Sequence, residues 1–105
     1  MFVNVIKSYR DVVAICDKEL LGKTFEEPSE DVVKQLDIKE SFYKGQTEGP
    51  VTEEEALQIM KRMADEDATF NIVGEKAVNA AIKAEIITDE SIGRIQDIPF
   101  ALVLI

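Results

Sequence analysis

Short runs of β-branched residues alternate with polar positions at the start of the chain. "FVNVIKS" and "DVVAIC", at residues 2–8 and 11–16, are two such runs, and the polar dipeptide "YR" separates them. Two runs of this kind on either side of a short turn are typical of antiparallel strands. The pattern therefore predicts a β-hairpin over residues 2–16.

A third strand is predicted after an interruption at Gly22 and Pro28, two residue types that commonly break a regular element. The segment "DVVKQLDI", residues 31–38, resumes an alternation with Val32, Leu36 and Ile38 on one face. We expect this strand near an edge of the sheet. The polar, glycine-containing stretch 39–50 that follows it is predicted to be a loop.

Two helices are predicted beyond this loop. Thr52 followed three residues later by Glu55 has the form of a capping box, which marks the start of the first helix. Hydrophobic residues at helical spacing follow it: Ala56, Leu57, Met60, Met63 and Ala64. The second helix is predicted within residues 69–87, with Asn71 as its amino-terminal cap.

Small residues mark one side of the predicted second helix, at Gly74, Ala77 and Ala81. Small side chains let a backbone approach its neighbour closely. We therefore expect this stripe to lie against the sheet.

The last run, "IPFALVLI" at residues 98–105, is hydrophobic on both alternating faces, as in a strand covered on both sides. Pro99 stands near its start, where a strand tolerates a missing amide donor. Strands first, helices next and a strand last predict an α+β fold. We expect a single domain over residues 1–105, in which a largely antiparallel sheet with a central C-terminal strand is covered by two helices.

Composition narrows the classes of partner. The 105 residues are 46% hydrophobic, enough for one core, and 21 acidic against 12 basic residues give a net charge of −9. Such a charge repels phosphate backbones and anionic lipid, so direct nucleic-acid binding is not expected. No membrane partner is predicted either, because the longest apolar run is far shorter than the roughly 20 residues of a membrane-spanning helix.

The chain contains no histidine and one cysteine, Cys16, which restricts the available chemistry. Histidine is the usual general base near neutral pH and the commonest zinc ligand, so paired Ser/His or Cys/His catalysis is excluded. No catalytic residue, metal site or cofactor is predicted. A lone cysteine and the absence of a signal-peptide pattern at the start predict a reduced, cytoplasmic protein.

Two candidate sites follow the first hairpin. Cys16 beside Asp17 resembles a thiol with an acid, but a neighbouring carboxylate raises a thiol pKa and suppresses the thiolate. We therefore favour Cys16 as a small buried group that ends a strand. Gly22 and Lys23 do not fit the G-x-x-x-x-G-K-[ST] phosphate loop, so Gly22 is predicted to end a short helical turn and Lys23 to remain free for a partner.

Two further candidates lie later in the chain. Phe42 and Tyr43 are either an aromatic platform for a base or a peptide, or, as we favour, rings packed under a loop. The start of the second helix, with Asn71, Gly74 and Glu75, exposes amides of the kind that bind anions. Because Glu75 already places a negative charge on that turn, we favour capping over an anion site.

Four segments, in the order "CDKELLGKTF", "FYKG", "NIVGEKAV" and "IQDIPFALV", resemble an uncharacterised archaeal family, the domain-of-unknown-function family numbered 424. The resemblance spans nearly the whole chain. It implies a small, single-domain, cytosolic protein and no known activity. The family pattern tends to have a histidine after the proline near the end, where this chain has Phe100, so any role of that imidazole is absent here.

Two hypotheses follow. The first is a noncatalytic cytosolic binding module whose partner is a protein or a ribonucleoprotein, with translation or another information-processing machine as the setting that family-level analogy implies. The alternative is a small enzyme or ligand sensor with a cleft formed by Asp17, Lys23, Tyr43 and Glu75, which requires these side chains to line one pocket. The oligomeric state is not predicted. The candidate binding residues are Cys16, Asp17, Gly22, Lys23, Phe42, Tyr43, Asn71, Gly74 and Glu75.

Overall fold

Seven strands and three α-helices make up the part of the chain that the computed structural model describes, residues 1–28 and 33–104. The strands are β1 (Phe2–Ile6), β2 (Val12–Cys16), β3 (Thr24–Pro28), β4 (Val33–Asp37), β5 (Thr69–Val73), β6 (Gly93–Ile95) and β7 (Ile98–Val103). The helices are α1 (Glu40–Tyr43), α2 (Glu53–Asp65) and α3 (Glu75–Lys83). The predicted hairpin over residues 2–16 is confirmed as β1 and β2.

The main sheet has five strands in the order β1-β2-β5-β7-β6. Strands β2 and β5 are parallel, whereas the other neighbours pair antiparallel. The predicted α+β fold with a largely antiparallel sheet is therefore confirmed. The C-terminal strand β7 lies inside the sheet, flanked by β5 and β6, and β5 takes the middle position.

One face of this sheet carries helices α2 and α3. Alternate residues of the inner strands point to this face, and Val13, Ile15, Phe70 and Ile72 are almost fully buried there. Ala77 and Ala81 of α3 are also fully buried in this core. Helix α3 contacts β2, β5 and β7, so the predicted packing of these two small residues against the sheet is confirmed.

The opposite face is partly covered by a second, two-stranded sheet of β3 and β4 and by the short helix α1. The predicted third strand corresponds to β4, although residues 31 and 32 lie outside the described residues. It pairs with β3, which the pattern did not predict because Phe25 is the one large hydrophobic residue in its "TFEEP" sequence. Helix α1 likewise lies in a stretch predicted to be a loop.

Helix α2 begins with the predicted capping box. The Glu55 amide donates to Thr52 Oγ1 at 3.2 Å, and the Thr52 amide donates to Glu55 Oε1, also at 3.2 Å. Its 13 residues make it the longest helix, and within the described part of the chain no helix is long and apolar enough to cross a membrane.

Asn71 lies in β5 and does not cap a helix, which corrects the sequence-based prediction. Its strand neighbours are Ala14 of β2 and Leu102 of β7. The segment Thr69–Val73 is a strand because Phe70 and Ile72 fill the core beneath the helices while Asn71 faces the other side. Thr69 and Asn71 are polar and resemble part of a turn in sequence. They alternate with Phe70 and Ile72, however, as residues of a strand do.

Replacing Thr52 with alanine tests the capping box. We expect the free energy of unfolding to fall by about 1 kcal/mol, because an amide at the start of α2 loses its acceptor. Denaturant unfolding measures the change. Gln58→Ala, at an exposed position inside the same helix, should alter stability by less than about 0.5 kcal/mol, and an equal loss in both variants would contradict the assignment.

Candidate functional site

Two sequence motifs meet at the carboxyl ends of the parallel strands β2 and β5. Cys16 pairs with Val73 at the end of the ladder, so Asp17 and Gly74 directly follow neighbouring strands. The Asp17 amide donates to the Val73 carbonyl oxygen at 3.1 Å. Such strand ends commonly position functional side chains.

The Asp17 carboxylate caps helix α3 from the other strand. Its Oδ1 accepts from the Ala77 amide at 2.8 Å, and its Oδ2 accepts from the Lys76 amide at 3.1 Å. Asp17 is 7% exposed, so this anion lies buried against the positive end of the helix dipole. Asp17 therefore has the capping role that the sequence predicts for Asn71. Because Asp17 lies far from α3 in the sequence, no local pattern reveals this contact.

Gly74 is the residue that precedes α3, and it packs on this carboxylate. Its φ of 110° is a backbone conformation that favours glycine, and its amide donates to the Pro99 carbonyl oxygen at 2.8 Å. A Cβ atom there would overlap Asp17 Cγ. Gly74 therefore allows the close approach of Asp17, and it contacts the sheet through Pro99 of β7 immediately before α3 begins.

Glu75 points away from this contact. Its side chain is exposed, and Oε1 accepts from the Arg94 guanidinium at 3.3 Å. The sequence favours a capped helix start at this position, and the geometry agrees. The anion that complements the helix amides is Asp17, however, and not Glu75. Asp17 therefore occupies the place that an external anion would take.

Cys16 is fully buried at the end of β2, as the sequence predicted. Burial raises the pKa of its thiol to about 12, and the negative charge of Asp17 adds to the effect. The side chain packs among the residues of the sheet face opposite the helices. Cys16 is thus a neutral packing group at physiological pH.

Gly22 and Lys23 connect the first hairpin to the small sheet through their backbone. Gly22, with a φ of 83°, follows the single helical turn Lys18–Leu20, and its amide donates to the Ile38 carbonyl oxygen at 2.7 Å. The Ile38 amide donates in return to the Lys23 carbonyl oxygen at 2.9 Å. Lys23 itself is exposed. These contacts give both residues a structural role at the base of the small sheet.

Phe42 and Tyr43 pack edge to face in α1, with ring centroids 5.1 Å apart and an interplanar angle of 84°. Tyr43 is buried, and burial raises the pKa of its hydroxyl to about 12, with smaller contributions from Cys16 and Asp37. The Asn4 side-chain amide donates to the Phe42 carbonyl oxygen at 2.8 Å and so ties α1 to β1. Phe42 and Tyr43 therefore have the packing role that the sequence favours, and they do not form an open aromatic platform.

A hollow of about 150 Å³ remains on this sheet face, beside the part that α1 and the small sheet cover. We call it the Asn71 hollow. It is lined by Leu36, Tyr43, Asn71, Ile72, Val73, Phe100, Ala101 and Leu102. Leu102 is 55% exposed, and Leu104, just beyond β7, is 71% exposed.

The sequence-based site did not include Leu36, Phe100, Leu102 or Leu104. The run "IPFALVLI" is typical of a strand covered on both faces, which predicts that its large residues belong to the core. The signal that distinguishes them is their spacing, because residues 100, 102 and 104 alternate with the buried Ala101.

The four residues of the alternative cleft engage different neighbours. Asp17 holds the α3 amides, Glu75 pairs with Arg94 and Lys23 is exposed to solvent. Residues 1–28 and 33–104 form four principal hollows. Tyr43 lines one of them, the Asn71 hollow, whereas Asp17, Lys23 and Glu75 line none of the four. Over the same ranges, no three Cys, Asp or Glu side chains come together as a metal site.

Comparison with known proteins places the chain in a family. A model of proteins of unknown function, DUF424, matches residues 6–105. The chain belongs to the DUF424 family. The match confirms the resemblance that the four sequence segments indicate. The description of the family names no activity. No curated protein matches the chain.

A solved structure shares the fold of this DUF424 protein. It is the crystal structure of an uncharacterised conserved protein from Methanopyrus kandleri, with a TM-score of 0.77 and 23% sequence identity. The alignment covers 97% of this chain and 88% of that chain. At this identity the likeness concerns the fold alone.

Gly74→Ala tests the contact between Asp17 and α3. We expect a loss of roughly 2 to 4 kcal/mol of unfolding free energy, because the new Cβ is strained at this φ and meets the carboxylate. Gly49→Ala is the matched control, since a Cβ there meets nothing within 4 Å and should change stability by no more than about 0.5 kcal/mol.

A double-mutant cycle with Asp17→Ala separates the two causes. Removing the carboxylate relieves the clash, so the double variant should lose less stability than the sum of the single variants, with a coupling of about 0.5 to 3 kcal/mol. Strictly additive losses would show that Gly74 and Asp17 act independently.

The raised pKa of Cys16 predicts an unreactive thiol. Near pH 8 only about one molecule in 10⁴ would carry a thiolate, because a group with a pKa raised to about 12 stays protonated far below that pH. Labelling with a chromogenic disulfide should be at least about 100-fold slower in the native protein than in denaturing guanidinium. Equal rates in both states would contradict the burial of Cys16.

Proposed function

We propose that this DUF424 protein is a noncatalytic binding module of an archaeal cytoplasm and that it binds a protein partner through the Asn71 hollow. The observation that carries the proposal is the exposed Leu102, which lines an open hollow on the partly covered sheet face, with the exposed Leu104 two residues further along the chain. Adjacent exposed hydrophobic residues of this kind are a common mark of interaction surfaces.

A noncatalytic role is supported by the state of the titratable motif residues. Cys16 and Tyr43 each have a pKa near 12, so neither supplies an anionic nucleophile or base at neutral pH. The Asp17 carboxylate already accepts two backbone hydrogen bonds. The competing hypothesis of an enzyme or ligand sensor needs Asp17, Lys23, Tyr43 and Glu75 to act at one point, and their separate contacts give it less support.

A protein partner is supported by the chemistry of the hollow. Its walls are mostly aliphatic and aromatic, and its volume of about 150 Å³ suits a single apolar side chain. The net charge of −9 opposes the approach of nucleic acid and anionic lipid. If the partner is a ribonucleoprotein, this protein would bind one of its protein components. The link to translation or another information-processing machine stays a prediction.

An archaeal setting is supported by the Methanopyrus kandleri protein that shares the fold. A reduced cytoplasm agrees with a single, unpaired cysteine that is buried in the main sheet.

Leu102→Asp tests this surface. We expect affinity capture from native lysate to recover a stoichiometric protein partner with the wild-type chain and to lose it with the variant, because a charge replaces an exposed hydrophobic contact. Thermal unfolding should be nearly unchanged, since Leu102 is more than half exposed.

Tyr9→Ser is the matched control, because Tyr9 is fully exposed in the turn between β1 and β2 and does not line the hollow. It should retain the partner. Recovery of the wild-type chain alone, or equal capture by wild type and Leu102→Asp, would count against the proposed surface.

A further inference from the structure

Building on the proposed function, we propose that Asn71 selects the partner. In this proposal the hollow takes one leucine- or phenylalanine-sized side chain from a basic segment of the partner protein. The peptide group next to that side chain hydrogen-bonds with the Asn71 carboxamide.

The position of Asn71 is unusual for its residue type. It lies on β5, the middle strand of the main sheet, where asparagine is disfavoured. Asn4, Ala14, Asn71 and Leu102 form one row across the sheet through their cross-strand pairs. Asn4 at the edge of that row is engaged with α1, whereas Asn71 lines the open hollow.

The Asn71 carboxamide is available for a ligand. It makes no side-chain hydrogen bond with any residue in the described ranges, and it is only partly buried. Its two donors and one acceptor complement a peptide group, which has one of each. Tyr43, Phe100 and Leu102 line the hollow beside Asn71, so a bound peptide group would lie in largely apolar surroundings, where a hydrogen bond is strengthened.

Binding pockets commonly combine apolar walls with a few polar groups that fix orientation. The Asn71 hollow has this composition, with a single carboxamide among mainly hydrophobic lining residues. Its volume suits one side chain and leaves no room for a second. The arrangement therefore favours recognition of one anchoring residue together with its main chain.

Charge favours a basic segment around that anchor. The chain carries a net charge of −9, which attracts cations over long range. Close to the hollow, the Asp37 carboxylate is near enough to raise the pKa of Tyr43, and its ion pair with Lys39 is loose at 3.9 Å and partly exposed. Lysine or arginine beside the anchor would be attracted by the negative net charge of the chain.

Capped pentapeptides of the form Lys-Lys-X-Lys-Lys test the inference. Two-dimensional amide NMR of the whole protein should show shifts at the Asn71 side-chain amide and at the Val73 and Leu102 amides when X is leucine or phenylalanine. We expect about tenfold weaker binding when X is alanine, since most of the buried apolar surface is lost. Replacing the lysines with glutamate should abolish binding.

Asn71→Leu and Asn71→Thr remove the carboxamide and keep residues that a strand tolerates. Each should weaken the leucine peptide about tenfold without lowering the melting temperature, as expected when a hydrogen bond of the complex is lost. Leucine and threonine differ in shape and polarity, so weaker binding by both variants at an unchanged melting temperature is due to the lost carboxamide and not to misfolding.

The outcomes separate the inference from the proposed function. If both Asn71 variants bind the leucine peptide like wild type, or if no peptide shifts these resonances, the selection by Asn71 is wrong. The binding surface would still stand if Leu102→Asp alone abolishes capture of the partner. If the alanine peptide binds as tightly as the leucine peptide, the hollow takes no anchoring side chain and the inference fails.

Discussion

The buried contact between Asp17 and the start of α3 is the constraint on which the arrangement of this molecule depends. It joins the ends of the two parallel strands, because the carboxylate follows β2 and the amides that it accepts from follow β5. A buried anion is tolerated when hydrogen bonds and a helix dipole complement it. Gly74 lets the carboxylate approach, and through Pro99 it also connects the helix start to β7.

The two faces of the main sheet have different degrees of cover, and this difference defines the proposed surface. Helices α2 and α3 seal one face, where Phe70 and Ile72 are almost fully buried. On the other face, α1 and the β3–β4 sheet pack over only part of the strands. The Asn71 hollow and the exposed Leu102 lie where that cover ends, so a partner can reach the middle of the sheet.

Several elements were predictable because their signals are local. The first hairpin follows from two β-branched runs around a polar turn, and the start of α2 follows from Thr52 and Glu55. Local rules predict Asn71 as the cap of α3, because they look for a capping residue within a few positions. The actual acceptor, Asp17, is 60 residues from Ala77, and such a distance in sequence carries no local signal.

The sequence by itself determined the fold class, the DUF424 family, the neutral character of Cys16 and the exclusion of histidine chemistry. These properties depend on composition, on short periodic patterns and on neighbouring residues. Only the tertiary structure decided that β2 and β5 lie side by side, that Asp17 caps α3 and that Asn71 faces an open hollow. The physical reason is that strand order and the cover of a sheet face depend on long-range packing, which alternating hydrophobic residues alone do not specify.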